Sequence, residues 1–478
     1  MIRTASRQVR RDLVWAGLAV VIALVIGATV GINPLVGAAV FLILLGALSL
    51  SLPASVWAVA ALVAALAARM IVTLTPVPEL GAFLDIPLAW AALAAAIFRK
   101  SQFSPRARTV LRFVIALILS MVTSSLFHST EFFRLALYLG LLGQPFAIIA
   151  ALLIDPPTQS QRRLLIGTAF ALLLIQLPVG AWQLATFGSG DPIEGTQFGA
   201  GGGTRPMAGV MVLGGFWLLA KRERASLWTS LLALSFFAWP FFANVRQVIL
   251  LVPLAFVVGT WGRPRRAFTS LVLGIAVVGS VLLVFLPEVY RSDSFRILNV
   301  GTSAEGGKAL AVKVLRRELT TDPASFLFGK GPAQTVGRTA FLTIQAVERF
   351  DPAIRSLGLQ PARIAREVQE DVRTTTGRHP SSFSAGTSSL LGVLGDLGMV
   401  GIAIYLAAMV WILRAVMRER SAEASVAASG WAMAFVLGFA FEWLENPAFM
   451  VFLGVITGLA LSSTRGLSRP RRVAERAP

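Results

Sequence analysis

The chain has 478 residues, 56% of them hydrophobic and only 14% charged, with a mean hydropathy of +0.74. Soluble domains carry about a quarter charged residues, so this composition excludes an ordinary soluble domain and points to an integral protein of the lipid bilayer. The formal charge of +19 and the absence of cysteine narrow the class further. Lys and Arg in a membrane chain mark cytoplasmic ends rather than a nucleic-acid partner, and disulfides, thiolate metal sites and a cysteine nucleophile are excluded.

Apolar runs of the roughly 18–20 residues that cross about 30 Å of hydrocarbon recur along the chain, without the alternating segments of about ten residues that a β-barrel shows. The expected fold class is an all-α polytopic membrane protein with about 12–14 transmembrane helices and a large, partly helical external loop. In order, the windows run 13–31, 34–51, 54–74, 80–98, 109–127, 132–154, 164–186, 206–220, 226–243, 246–261, 267–287, 388–413, 426–444 and 447–463. The first is too long for a cleaved signal peptide and lacks its small-residue cleavage site, so it reads as a span. Between the windows stand cationic clusters: Arg3, Arg7, Arg10 and Arg11; Arg99, Lys100, Arg106 and Arg108; Arg162 and Arg163; Lys221, Arg222 and Arg224; Arg263, Arg265 and Arg266; Arg414, Arg418 and Arg420; and Arg465, Arg469, Arg471, Arg472 and Arg476. All fall on one side of the expected bundle, which places both termini in the cytoplasm and favours an even number of spans.

The expected organisation is a transmembrane part over 1–287, an external domain over 288–387, further spans over 388–463 and a basic cytoplasmic tail over 464–478. Within the first part lies a Gly-rich external loop over 187–205, "FGSGDPIEGTQFGAGGGTR". In the external domain "GGKALAVKVLRRELTTDP" and "FLTIQAVERFDPAIRSLGLQPARIAREVQEDVR" have helical apolar spacing with charges of both signs, which predicts a helical cap on the membrane face. A loop of that length with its own structure is usually functional. No internal repeat of the inverted-transporter kind is visible.

Two cations break the pattern. Arg205 closes the Gly-rich loop at "GGGTRPMAG" and Arg246 stands at "FFANVRQVILL", both at external span ends. A cation there either snorkels to headgroups or pairs with an acid such as Glu194, or it faces a polar cavity and an anionic partner. Arg69 and Arg134 also lie near external ends, with flanks that favour the plainer reading. Lys313, Arg316 and Arg317 fall about one turn apart and either present a cationic face to a lipid phosphate or belong to a solvated helix with Glu305, Glu318 and Asp322. "GKGP", Gly329 to Pro332, lacks the ending of a phosphate loop and reads as a tight turn. Of the two histidines, His379 and His128, both read as external; His379 is the one within the external domain, where imidazole acts as a base or donor near neutral pH. Asp396 is an unexpected acid in "LLGVLGDLGMVG", placed either to orient a site arginine or to pair within the bundle. No metal, nucleotide or zinc motif is present, and no cofactor is expected.

The combination of "TRPMAG", "NVRQVILLVPLAF", "DPASFLFGKGP" in a long external loop, and a His ahead of "LLGVLGDLGMVGIAIYL" resembles the O-antigen ligase and polysaccharide polymerase superfamily over roughly residues 165–415. The resemblance implies a C-type (GT-C-like) membrane glycosyltransferase of the bacterial inner membrane. Such an enzyme moves a glycan from undecaprenyl pyrophosphate to a sugar hydroxyl on an acceptor glycan or glycolipid, on the external, periplasmic face, without nucleotide or metal. It further implies that Arg205 and Arg246 engage the pyrophosphate and that His379 takes part in catalysis; beside these, Arg316 and Arg317 are candidates for added pyrophosphate contacts and Asp396 and Glu194 for support behind the site. His379 stands farther ahead of Gly398 than the ligase pattern has its histidine, which tilts the expectation to a polymerase over a ligase acting on lipid A core. A transporter or lipid flippase and a non-catalytic scaffold are the competing readings. The transporter or flippase leaves a hundred-residue external domain unexplained and lacks the acids within its spans that ion coupling generally uses.

Overall fold

The structure is a computed structural model and describes residues 48, 51–68, 84–188, 193–197, 204–221, 227–243, 245–260, 307–349, 362–376 and 388–463. The expected spans at 13–31 and 267–287, nearly all of 34–51, the basic tail, Arg69 and His379 lie outside the described residues. The helices are α1 (Ala54–Val63, running into a π-helical turn Ala64–Ala68), α2 (Asp85–Arg99), α3 (Pro105–His128), α4 (Phe132–Ile154), α5 (Gln159–Phe187), α6 (Thr204–Ala220), α7 (Leu227–Phe242) and α8 (Arg246–Gly259). They continue as α9 (Gly307–Leu319), α10 (Pro323–Phe328), α11 (Arg338–Arg349), α12 (Arg363–Thr376), α13 (Ser389–Met417), α14 (Ala422–Ala440) and α15 (Pro447–Leu461). No strand occurs among the described residues.

Among the described residues, five helices are long and apolar enough to cross a membrane: α3, α4, α5, α13 and α14 over Ala422–Phe439. The chain is therefore an α-helical membrane protein. Among the described residues, the windows expected at 54–74, 206–220, 226–243 and 447–463 hold apolar helices of 10–17 residues. α15 is buried along its whole length, so it meets other helices rather than lipid and need not match the hydrocarbon thickness. α4 is the other central helix, and small residues bring its neighbours close. Trp90 of α2 fills the space at Gly143, while Gly454 of α15 sits so near Pro145 that an added methyl would lie 3.0 Å from the Pro145 Cα. α3, α5 and α13 keep outward apolar faces, including Leu119, Leu164 and Val410, as lipid-facing helices do.

Helix starts follow local chemistry. The Ser104 side chain accepts from Ala107 N ahead of Pro105, Thr158 and Gln161 form a capping box, and Ser421 accepts from Ala424 N. These three starts share one end of the bundle, where the basic clusters gather. Arg106 donates to Leu461 O at 3.2 Å and pairs with Glu419 at 2.7 Å. Arg162 donates to Leu459 O at 2.7 Å and pairs with Glu423 at 3.2 Å, and Lys221 reaches the same Glu423. Asp155 takes Arg99 and Lys100. Contacts thus bring cations of four helices, α2, α3, α5 and α6, to a single end, in keeping with the sequence pattern.

The described residues of 307–349 and 362–376 are largely helical, with small cores of their own. Ala311, Val314 and Leu315 pack on Val336, Ile364 and Val368, while Ala340 and Ile344 pack on Ala362 and Ala365. Their tip does more than rest on the bundle, because residues 329–339 enter it.

Candidate functional site

α13 is interrupted at Gly398, whose φ of 66° is left-handed and whose place is hard against the backbone of Leu327. One residue pair earlier, Asp396 is fully buried, and its carboxylate closes on the chain that follows α10. Oδ1 accepts from Gln334 N (3.0 Å), Thr335 N (2.8 Å) and Thr335 Oγ1 (2.7 Å), and Oδ2 accepts from Ala333 N (3.1 Å). The main chain adds Lys330 N to Gly395 O at 2.8 Å and Gly331 N to Asp396 O at 3.1 Å. Ser124 Oγ of α3 also donates to Asp396 O, at 2.7 Å. "GKGP" is indeed a tight turn. Gly329 and Gly331 have φ of 77° and 99°, and a Cβ on Gly329 would strike the Asp396 backbone, so only glycine lets the two chains touch.

A second buried acid repeats the device. Glu445 lies in the Trp443–Glu445 turn between α14 and α15, and its Oε2 accepts from Thr339 N at 2.7 Å and Thr339 Oγ1 at 2.6 Å, at the start of α11. The same turn binds the start of α13: Ser389 N donates to Phe441 O (3.0 Å) and Leu444 N to Ser389 Oγ (3.2 Å). Ser388, the α13 N-cap, donates to Gly438 O and Phe439 O. Two carboxylates from the bundle therefore hold one loop through its main-chain N–H groups.

Among the described residues Asp396 makes no bond to an arginine; it is paired within the fold, its carboxylate taken by the main chain of the loop. The Arg134 side chain is buried and pairs with Glu131 at 3.2 Å, in keeping with the plainer reading. His128, at the α3 C-terminus, lies beside Gly331, and its Nε2 is buried with no hydrogen bond among the described residues. The weaker of the two histidines on sequence grounds is therefore at the docked loop, while His379 lies outside the described residues. It precedes Ser388 by nine positions, a reach of at most about 30 Å for extended chain.

Arg205 and Arg246 are described in backbone only; their side chains, and hence the proposed Arg205–Glu194 pairing, lie outside the described residues. Their placement is still informative. Arg205 is in the first turn of α6, four residues from Gly209, which packs on Trp443 of the clamp turn. Arg246 opens α8, whose other end, Gly259, lies against Ser425 and Ser429 at the cationic end. α6 and α8 touch each other and α14. Both arginines accordingly open helices at the end opposite the basic clusters, beside the turn that receives α13 and the loop.

Glu194 is buried, in a part of the Gly-rich loop that folds back into the bundle. Gln183 exchanges two hydrogen bonds with Gly195 (2.8 and 2.9 Å), Gln176 two with Thr196 (2.9 Å each), and Thr196 Oγ1 also bonds Leu66 O. Gln176 and Gln183, seven residues apart on one face of α5, are polar positions that the apolar window conceals.

Arg317 does not stand free on α9. It donates to Glu367 (2.7 Å) and Glu318 (3.1 Å), while Arg363 donates to Glu318 (2.9 Å). Its hydrogen bonds to Glu367 and Glu318 push the Arg317 pKa up. Burial pushes Glu318 upward, but the two guanidiniums outweigh it and leave its pKa below the ordinary value. Lys313 and Arg316, on the exposed face, make no ion pair among the described residues. No cluster of metal-ligating side chains occurs among the described residues. Neither a family model nor a curated protein matches the chain.

Proposed function

We propose that the protein is a metal-independent, inverting membrane glycosyltransferase. It takes a glycan from an undecaprenyl-pyrophosphate carrier and gives it to a sugar hydroxyl, extending O-antigen or exopolysaccharide repeat units. The observation that carries this reading is the placement of Arg205 and Arg246 in the first turns of two touching helices, α6 and α8, at the end away from the basic clusters. By the positive-inside rule that end is external, on the periplasmic side of the inner membrane.

The chemistry follows from the residue types. As the anomeric carbon leaves its pyrophosphate, charge grows on the departing oxygen, and fixed donors stabilise that charge more in the transition state than in the ground state. The guanidinium fork donates two bonds to a phosphate and stays charged in a poorly hydrated site, and the two helix N-termini add positive potential at the same place. His379 removes the acceptor hydroxyl's proton, a contribution of about 10²- to 10⁴-fold, and direct displacement inverts the anomeric centre. The clamped loop 329–339 ties the external segment to the start of α13, nine positions after His379.

Purified protein incubated with an undecaprenyl-pyrophosphate oligosaccharide is expected to yield longer lipid-linked chains, and Arg205→Ala or Arg246→Ala to abolish them while the protein still reaches the membrane. Transfer to a lipid A core acceptor instead would identify a ligase. Wild-type turnover in both variants removes the arginines from the mechanism, and no turnover with any acceptor favours transport.

A further inference from the structure

Outside the clamp, the short helix α10 leaves two large apolar side chains uncovered, Phe326 (49% exposed) and Leu327 (43%). Their position gives them a partner. Phe328 of the same helix stacks on Phe127 of α3, ring centroids 5.1 Å apart and 11° from parallel, and the Leu327 backbone lies against Gly398 of α13. α10 therefore sits between two lipid-facing helices whose own exposed residues here are Leu126 and Phe127 on one side and Met399 and Val400 on the other. Leu126 is 21 residues from the start of α3, about 31 Å at 1.5 Å per residue, which is the thickness of the hydrocarbon core. The uncovered apolar surface lies at the membrane boundary, continuous with surface that lipid already covers.

α9 leads directly into α10, and its Leu315 packs at Gly395, one turn ahead of the kink. Its outward face forms an open recess of about 670 Å³ lined by Ala309, Val312, Lys313, Arg316, Arg317 and Thr320. Arg317 is spoken for by Glu318 and Glu367, whereas Lys313 and Arg316 point outward without ion pairs among the described residues. Cations beside exposed Val312, one short turn from an apolar hook, are the pattern of an interfacial element whose stems lie on acyl chains and whose heads meet anionic headgroups.

We infer that α9 and α10 form a bilayer anchor: Phe326 and Leu327 insert at the outer boundary of the hydrocarbon, and the Lys313–Arg316 recess binds the headgroup of an acidic phospholipid. The anchor rests on the membrane placement of the bundle and not on glycosyl transfer.

The absence of native cysteine makes the test direct. Full-length Phe326→Cys, Leu327→Cys, Leu126→Cys and Glu370→Cys proteins are spin-labelled in nanodiscs of phosphatidylethanolamine and phosphatidylglycerol, and the accessibility of each label to oxygen and to a water-soluble nickel complex is measured. Labels at 326 and 327 are expected to match the lipid-facing one at 126; labels that match the exposed position 370 overturn the insertion. For the headgroup site, a label at Thr320→Cys is expected to be shielded from nickel when phosphatidylglycerol is present and to lose that shielding when Lys313→Glu and Arg316→Glu are combined. Equal shielding in pure phosphatidylcholine, or after the charge reversal, overturns the acidic-lipid assignment. Loss of transfer in Arg205→Ala with unchanged label depths separates this surface from the transferase reading.

Discussion

Replacing Asp396 tests the clamp most directly, because one carboxylate holds three backbone N–H groups and a hydroxyl. In Asp396→Asn the carbonyl oxygen can keep the three donors now on Oδ1, but the new NH₂ faces the Ala333 N–H, donor against donor. A hydrogen bond to a charged group contributes about 1.5–3 kcal/mol, so a loss of about 2 kcal/mol is expected, roughly a 30-fold rise in the opening of the loop at 1.4 kcal/mol per tenfold. Asp396→Ala removes every acceptor and strands three buried N–H groups at about 1–3 kcal/mol each. The total, on the order of 6 kcal/mol, rivals the whole stability of a typical domain at about 5–15 kcal/mol, and the loop should detach. Hydrogen–deuterium exchange in nanodiscs reads this out, with peptides over 329–339 compared to α4 in the same molecule. Native protection of residues 333–335 in Asp396→Ala would refute the clamp.

Gly329→Ala should release the same loop without touching the acid, since the added methyl meets the Asp396 backbone and φ is 77°; Gly167→Ala, with open space around it, should instead gain up to about 1 kcal/mol of helix stability. Equal exchange in the two variants would contradict the close-contact argument. Asp322 titrates at about 2 rather than 3.8 because the Ser325 hydroxyl and then its backbone N–H donate to it. A folded-state pKa below the unfolded one means that the cap on α10 is complete above about pH 4 and is lost as pH falls towards about 2. Exchange over 323–328 should accelerate across that window in the native chain and show no such step in Asp322→Asn; a step that persists in the variant would assign it elsewhere.

Helix positions were legible where apolar length alone decides them. Window 132–154 coincides with α4, and 164–186 falls inside α5, which begins five residues earlier because Thr158 and Gln161 cap polar turns that a hydropathy window passes over. Local backbone chemistry was legible too, since two glycines around Lys330 specify a tight turn whatever surrounds it. What that turn touches was not, because Asp396 and Ala333 are 63 residues apart and nothing local couples a carboxylate to a distant main chain. The same limit hid the return of the Gly-rich loop to Gln176 and Gln183, and it left His128 looking ordinary, since burial of its Nε2 beside the docked loop is a property of packing. The arginines that sequence singles out, Arg205 and Arg246, share an end of the bundle because alternate spans return there, a consequence of parity rather than of contact.

The basic end carries a further consequence for how the chain is made. Arg106 and Arg162 are synthesised 355 and 297 residues before their acceptors, the carbonyls of Leu461 and Leu459. Until α15 is made, both guanidiniums lack those acceptors; once it arrives, the same groups close over its last turn. α15 is therefore the clasp of the assembly: a chain halted before it still holds Glu419 and Glu423 for Arg106 and Arg162, but lacks the two carbonyls through which those cations tie down its last turn.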